Sequence, residues 1–170
     1  MNLSLCPLGE VPAGVLEDLA DDLSFLGAVT VREPAPVRRE WFDAGRGRYR
    51  TGAILDALAG TPGDRALGVA AVDLYSETER FDFVFGMARV YTGPAVVSVF
   101  RLVSDPDRAR DRVAKEAIHE LGHTLGLDHC DDPRCVMCFS NSVEDVDRKA
   151  RAFCGRCRAT ADFTAKRLRT

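Results

Sequence analysis

The chain has 170 residues, 46% of them hydrophobic and 29% charged, with a formal net charge of −3. That length supports one domain with a modest second lobe and a real core. The acidity argues against nonspecific nucleic-acid binding, and no apolar run approaches the roughly 20 residues that span a bilayer.

Residues 3–6 read as a short strand, closed by the turn-like Pro7-Leu8-Gly9-Glu10. The opening MNLSLCPLGE has no basic n-region, so it is not read as a signal peptide. A cytoplasmic protein with reduced thiols is expected. Val11-Pro12 opens a helix whose Val15, Leu19, Leu23 and Leu26 form a half-buried stripe, ended by Gly27. Residues 28–31 give a second strand, after which Pro34 and Pro36 forbid a helix.

The stretch REWFDAGRGRYR reads as a glycine- and arginine-rich loop with Trp41 as a core anchor. A second helix over 53–59 is stopped by Gly60, Pro62 and Gly63. The apolar run 67–72 predicts a strand covered on both faces, and Asp73-Leu74-Tyr75 its closing turn. Residues 81–91 alternate loosely about Gly86 and predict one strand, or two with a bulge; 95–102 predict another. Ser104-Asp105-Pro106 starts a long helix, a capping residue ahead of proline, with Val113, Ala117, Leu121 and Leu125 on its buried side. Strands separated by helices, then a long helix, make an α+β (mixed α/β) domain.

All three histidines fall near the end of that long helix, in the pattern HExxHxxGxxH: His119, His123 and His129. Positions i and i+4 share one helical face, so His119 and His123 can reach one metal. Gly126 can take a positive φ, end the helix and return His129 to the same point. Three imidazoles around zinc leave a position open, as a catalytic site requires. Glu120 stands beside the metal rather than on it, placed to hold a water and take its proton.

Cys130-x4-Cys135 and Cys154-x2-Cys157 form two pairs with the spacing of a structural four-cysteine zinc site. Two disulfides, disfavoured in a reducing cytosol, or four unrelated thiols are the alternatives. Cys6 reads as a buried strand residue, and Cys138 as a free thiol or a substitute ligand.

The histidine motif followed by Met137 resembles the metzincin metalloproteases. The continuation through Cys130, Cys135 and Cys154-Gly-Arg-Cys157 resembles one branch, the archaemetzincins. PLGEVP at 7–12, VDLY at 72–75, FVFG at 83–86 and FSNSVEDVDRK at 139–149 extend the resemblance over most of the chain. Cys138, directly after Met137, departs from that family's pattern. The resemblance implies a metzincin-like twisted mixed sheet with an antiparallel edge strand, an active-site helix and a small zinc-stapled C-terminal lobe. It also implies two zinc ions, one catalytic and one structural, and peptidase activity, aminopeptidase in some members. On this pattern Met137 lies under the catalytic zinc as an apolar floor, and residues 83–88 line the cleft as the sheet edge.

The sequence therefore predicts a zinc metallopeptidase acting on a peptide or protein substrate as a monomer, with neither membrane nor nucleic acid as partner. Residues 1–126 would carry the sheet and active-site helix, and 127–170 the third histidine, the methionine turn and the cysteines. A latent zinc protein and a zinc-ribbon binding module for protein or nucleic acid are the alternatives. An aminopeptidase needs an acid for the substrate amine, and Glu116, Asp128 and Asp73 are the candidates. Residues 158–170 continue a terminal helix which, with Arg148, Lys149, Arg151 and Arg156, forms a basic solvated face.

Overall fold

A computed structural model describes residues 1–168. Their elements run β1 (Asn2–Leu8), α1 (Val15–Leu23), β2 (Ala28–Val31), β3 (Phe42–Asp43), β4 (Arg48–Arg50), α2 (Thr51–Leu58) and β5 (Arg65–Ala70). They continue with β6 (Leu74–Tyr75), β7 (Gly86–Ala88), β8 (Ala95–Ser98), α3 (Pro106–Thr124), α4 (Val143–Arg148) and α5 (Gly155–Arg167). The main sheet has the order β2-β1-β5-β8-β7; a small second sheet has the order β3-β4-β6. Pairings across the first four strands of the main sheet are parallel, and β7 joins β8 antiparallel as the edge. The mixed α/β architecture expected from sequence is the one observed.

Period-two alternation gives each central strand two apolar faces. Leu3, Leu5, Leu67, Val69, Ala95 and Val97 meet α1 and α3 in one core. Cys6, Leu8, Ala70 and Val96 meet Trp41 and α2 in the other. Each leucine buried completely contributes about 2 kcal/mol, so the sheet is a stiff platform for α3. Leu127, Val136, Met137 and Val146 from the C-terminal segment join the α3-side core.

Several local expectations change. The first strand does not close at Pro7. β2 pairs only with residues 2–5 of β1, and beyond it the Pro7 carbonyl accepts from the Ala35 N–H at 3.0 Å. The first helix begins at Val15, behind a left-handed Gly14. The glycine- and arginine-rich stretch is a hairpin rather than a loop. Asp43 accepts from the N–H groups of Gly45 and Arg46 at 2.9 and 3.1 Å, the side-chain turn that joins β3 to β4.

Only Gly86–Ala88 of residues 81–91 is strand. Phe81 packs on Phe139 with ring centroids 5.2 Å apart, and Phe83 lies under the Arg101 guanidinium at 3.8 Å. The Val84 N–H donates instead to the Leu74 carbonyl of the second sheet, at 3.0 Å. The basic solvated face also dissolves into pairs. Lys149 is buried on Glu116, Arg151 reaches Asp22 at 2.8 Å, and Arg148 reaches Asp145 at 3.2 Å. The last two residues of the predicted terminal helix lie outside the described residues. No described helix is long and apolar enough to cross a membrane.

Candidate metal centres and active-site cleft

Asp105 caps α3 by accepting from the Asp107 N–H at 3.0 Å, with Pro106 in the first turn. The helix ends where predicted. Gly126 has φ 85°; its N–H donates to His123 and that of Leu127 to Gly122, at 2.9 and 3.0 Å. This paired closure reverses the chain. A Cβ at Gly126 would collide with the Tyr91 ring. Arg65, buried, donates to the carbonyls of Thr124 and Tyr91 at 3.1 and 2.9 Å and so secures the helix end.

The turn brings the three imidazoles together, with ring centroids 4.7–5.2 Å apart. His119 Nδ1 lies 2.9 Å from the Val136 carbonyl, and His123 Nδ1 2.7 Å from that of Leu127. A carbonyl only accepts, so each Nδ1 carries the proton and each Nε2 an exposed lone pair. Those two Nε2 atoms face one another at 3.1 Å. Tetrahedral zinc with nitrogen ligands holds them about 3.3 Å apart, so the donor set fits that ion. Burial pushes all three histidines below their ordinary value, His119 furthest, which keeps them neutral as metal ligands must be.

Glu120 follows His119 and is buried beside it. No described residue donates a hydrogen bond to its carboxylate. Burial, then the charge of Glu116, hold its carboxyl well above the usual range, while Lys149 pulls it back. Glu116 lies one turn earlier and forms an ion pair with Lys149 Nζ at 2.7 Å. Burial raises Glu116 as well, opposed by that lysine. Lys149 Nζ also donates to the Cys138 carbonyl at 3.2 Å. It stands 3.4 Å from His119 Nδ1, whose proton is committed to Val136.

One residue past His129 the second cluster begins. The sulfurs of Cys130, Cys135, Cys154 and Cys157 lie within 4.8 Å of one another, and all six cysteines are free thiols. Cys130 and Cys154 are 3.8 Å apart. Zinc with sulfur ligands at about 2.3 Å spaces them by about that amount, whereas a disulfide needs about 2.05 Å. The Cys157 backbone N–H, in the first turn of α5, draws the Cys154 thiol down to about 7. The Cys154 N–H donates to the Cys135 sulfur at 3.3 Å and Arg156 to that of Cys130 at 3.5 Å. The Cys130 N–H donates to the Met137 carbonyl at 2.9 Å, tying this cluster to the methionine turn. Cys138 is half-buried and outside the cluster; Cys6 is buried in β1.

A cleft of about 500 Å³ runs between β7 and the histidines, with Phe81, Phe83, Met87 and Phe139 among its walls. Phe85 C=O and Arg89 N–H bond inward, to Ser98 and Pro94 at 2.7 and 2.9 Å. By antiparallel alternation the peptide groups of Gly86 and Ala88 face the open edge.

Residues 42–162 match the family model described as Peptidase family M54. This chain belongs to peptidase family M54. It is a zinc metallopeptidase, similar along its length to archaemetzincins. The archaemetzincin of Methanopyrus kandleri is 42% identical over 166 residues, 94% of each chain. That of Archaeoglobus fulgidus is 42% identical over 160 residues, 92% of this chain and 96% of its own. The A. fulgidus crystal structure, complexed with malonate, aligns with TM-score 0.86 over 94% of this chain and 99% of that one. The M. kandleri structure gives 0.88 at 41% identity, over 98% and 96%.

In this M54 chain, α3 and the segment after it bring together every histidine and paired cysteine singled out from sequence. The three acids proposed for an amine are not alike. Glu116 is committed to Lys149. Asp73 is held by Arg48 and Arg101 at 2.9 and 2.8 Å. Asp128 is exposed but absent from the cleft wall. Sequence reasoning missed Glu79, an exposed acid in that wall. Its Ser76-x-Thr78 turn was the only local signal.

Proposed function

We propose that this chain hydrolyses peptide bonds with two zinc ions. His119, His123 and His129 would hold the catalytic one, and Cys130, Cys135, Cys154 and Cys157 the structural one. The observation that carries this reading is the facing pair of Nε2 lone pairs, 3.1 Å apart, on histidines whose Nδ1 protons are committed to carbonyls. Two such lone pairs repel unless a cation lies between them.

Zinc, when bound, supplies Lewis-acid chemistry, polarising the scissile carbonyl and acidifying water. The chain's own groups do the rest. Glu120, free of hydrogen bonds from described residues, accepts the attacking water's proton and returns it to the leaving amine. The outward peptide groups of Gly86 and Ala88 hold the substrate antiparallel to β7, and the phenylalanines exclude water around it. Aminopeptidase action is the narrower form of the proposal. A functional boundary between 126 and 127 belongs with it, since the third histidine and all four paired cysteines follow that point.

The test is mass-spectrometric cleavage of a mixed peptide library by zinc-loaded protein, with Glu120→Ala as control and zinc counted in both. Cleavage by the parent alone, with two zincs per chain, is expected. Absence of cleavage, or equal cleavage by the control, overturns the proposal.

A further inference from the structure

The cleft between β7 and the histidines is also lined by the segment carrying Glu79. Glu79 is exposed in the cleft wall. The same cleft is lined by His129. Among the described residues its carboxylate has no ion-pair partner. The other two carboxylates lining the cleft are buried: Glu116 is neutralised by Lys149, and Glu120 stands beside the histidines.

The position is fixed from both sides. Ser76 Oγ accepts from the N–H groups of Thr78 and Glu79, each at 3.2 Å. Glu77 accepts from the Gly52 N–H at 3.2 Å and the Thr51 hydroxyl at 3.3 Å, anchoring the segment on the start of α2. These bonds order the backbone from which the Glu79 side chain projects, so that part of the segment loses little conformational freedom when a ligand is met. Phe81 and Phe139 stand in the same wall, and an apolar surround strengthens a charge pair above its value in open water.

We propose that Glu79 receives a cationic group of the substrate at the mouth of the cleft and selects peptides that carry one there. The inference rests on the peptidase reading above. Two groups share this chemistry: the free α-amine of a peptide's first residue, and a lysine or arginine side chain. The first would make the enzyme an aminopeptidase; the second would make it an endopeptidase with a basic subsite.

Four peptides of one sequence separate them, with the N-terminus free or acetylated and one position lysine or glutamine. kcat/KM is measured on each with zinc-loaded parent and Glu79→Gln protein. Kd is measured on the same peptides with zinc-loaded Glu120→Gln protein, with and without Glu79→Gln. The parent's preference for cationic over neutral peptide should fall about fivefold in Glu79→Gln, through KM and Kd rather than kcat. Glu79→Asp should restore part of it. Sensitivity to acetylation identifies the amine, and sensitivity to the lysine identifies a side chain. An unchanged preference, or equal loss on all four peptides, overturns the proposal. If the parent cuts nothing, the peptidase reading fails while the Kd ratios still decide Glu79: a ratio that falls sustains it, and a flat ratio or no binding sinks it.

Discussion

Lys149 meets Glu116 at 2.7 Å, joining the segment beyond Met137 to the metal-side face of α3. Both side chains are almost wholly buried, so neither charge has water to fall back on. Lys149→Met should cost about 3–5 kcal/mol by stranding Glu116. Adding Glu116→Met to it should return much of that loss, since an apolar pair needs no compensation. Urea unfolding of the four proteins checks this; additive losses would show that the pair is not coupled.

Gly86 touches the proposed base. A Cβ there would stand 2.5 Å from Glu120 Cγ and 2.6 Å from the Val96 carbonyl. Gly86→Ala should therefore destabilise by about 1–3 kcal/mol and cut turnover disproportionately by displacing Glu120. Melting temperature and kcat, measured together, separate the two effects.

Ala88 offers the outward N–H on which a β7-bound peptide would depend. Ala88→Pro removes that donor. With the fold intact by circular dichroism, peptide affinity should drop about tenfold. Unchanged affinity would remove the edge-strand part of the mechanism.

Asp147 is held by two arginines. Arg112 grips it through two nitrogens at 2.8 Å each and Arg108 through one at 2.7 Å. Arg112 first among them holds its carboxyl far below the usual carboxylate range. A folded pKa below the unfolded one gives stability that is present above about pH 4 and lost as pH falls towards the folded value. Asp147→Asn should lower stability at neutral pH and flatten the acid limb of the stability–pH curve. An unaltered slope below pH 4 would contradict it.

Cys157 lies on α5 and draws that helix into the cysteine cluster. On the proposed assignment, Cys157→Ser should release the structural zinc and lower Tm by about 10 °C. Fast amide exchange across α5 is the accompanying signature. A chelated parent with α5 still protected would argue against a zinc staple.

The sequence made the histidine helix legible because helical spacing, a glycine stop and metal chemistry all act within a few residues of one another. The β3–β4 hairpin escaped because its turn is made by the Asp43 side chain, and glycine and arginine alone resemble a loop. Lys149 was misread for the opposite reason. A lysine beside arginines looks solvated until a distant turn of α3 supplies Glu116. Glu79 stayed hidden because its place in the cleft wall depends on how residues far apart in the chain cross, which no local pattern encodes.

His129 and Cys130 are neighbours in the chain yet belong to different clusters, and the second is closed only by Cys154 and Cys157 on the last helix. On the proposed assignment of the two clusters, the third imidazole would be pinned only once the last helix of the chain has been made.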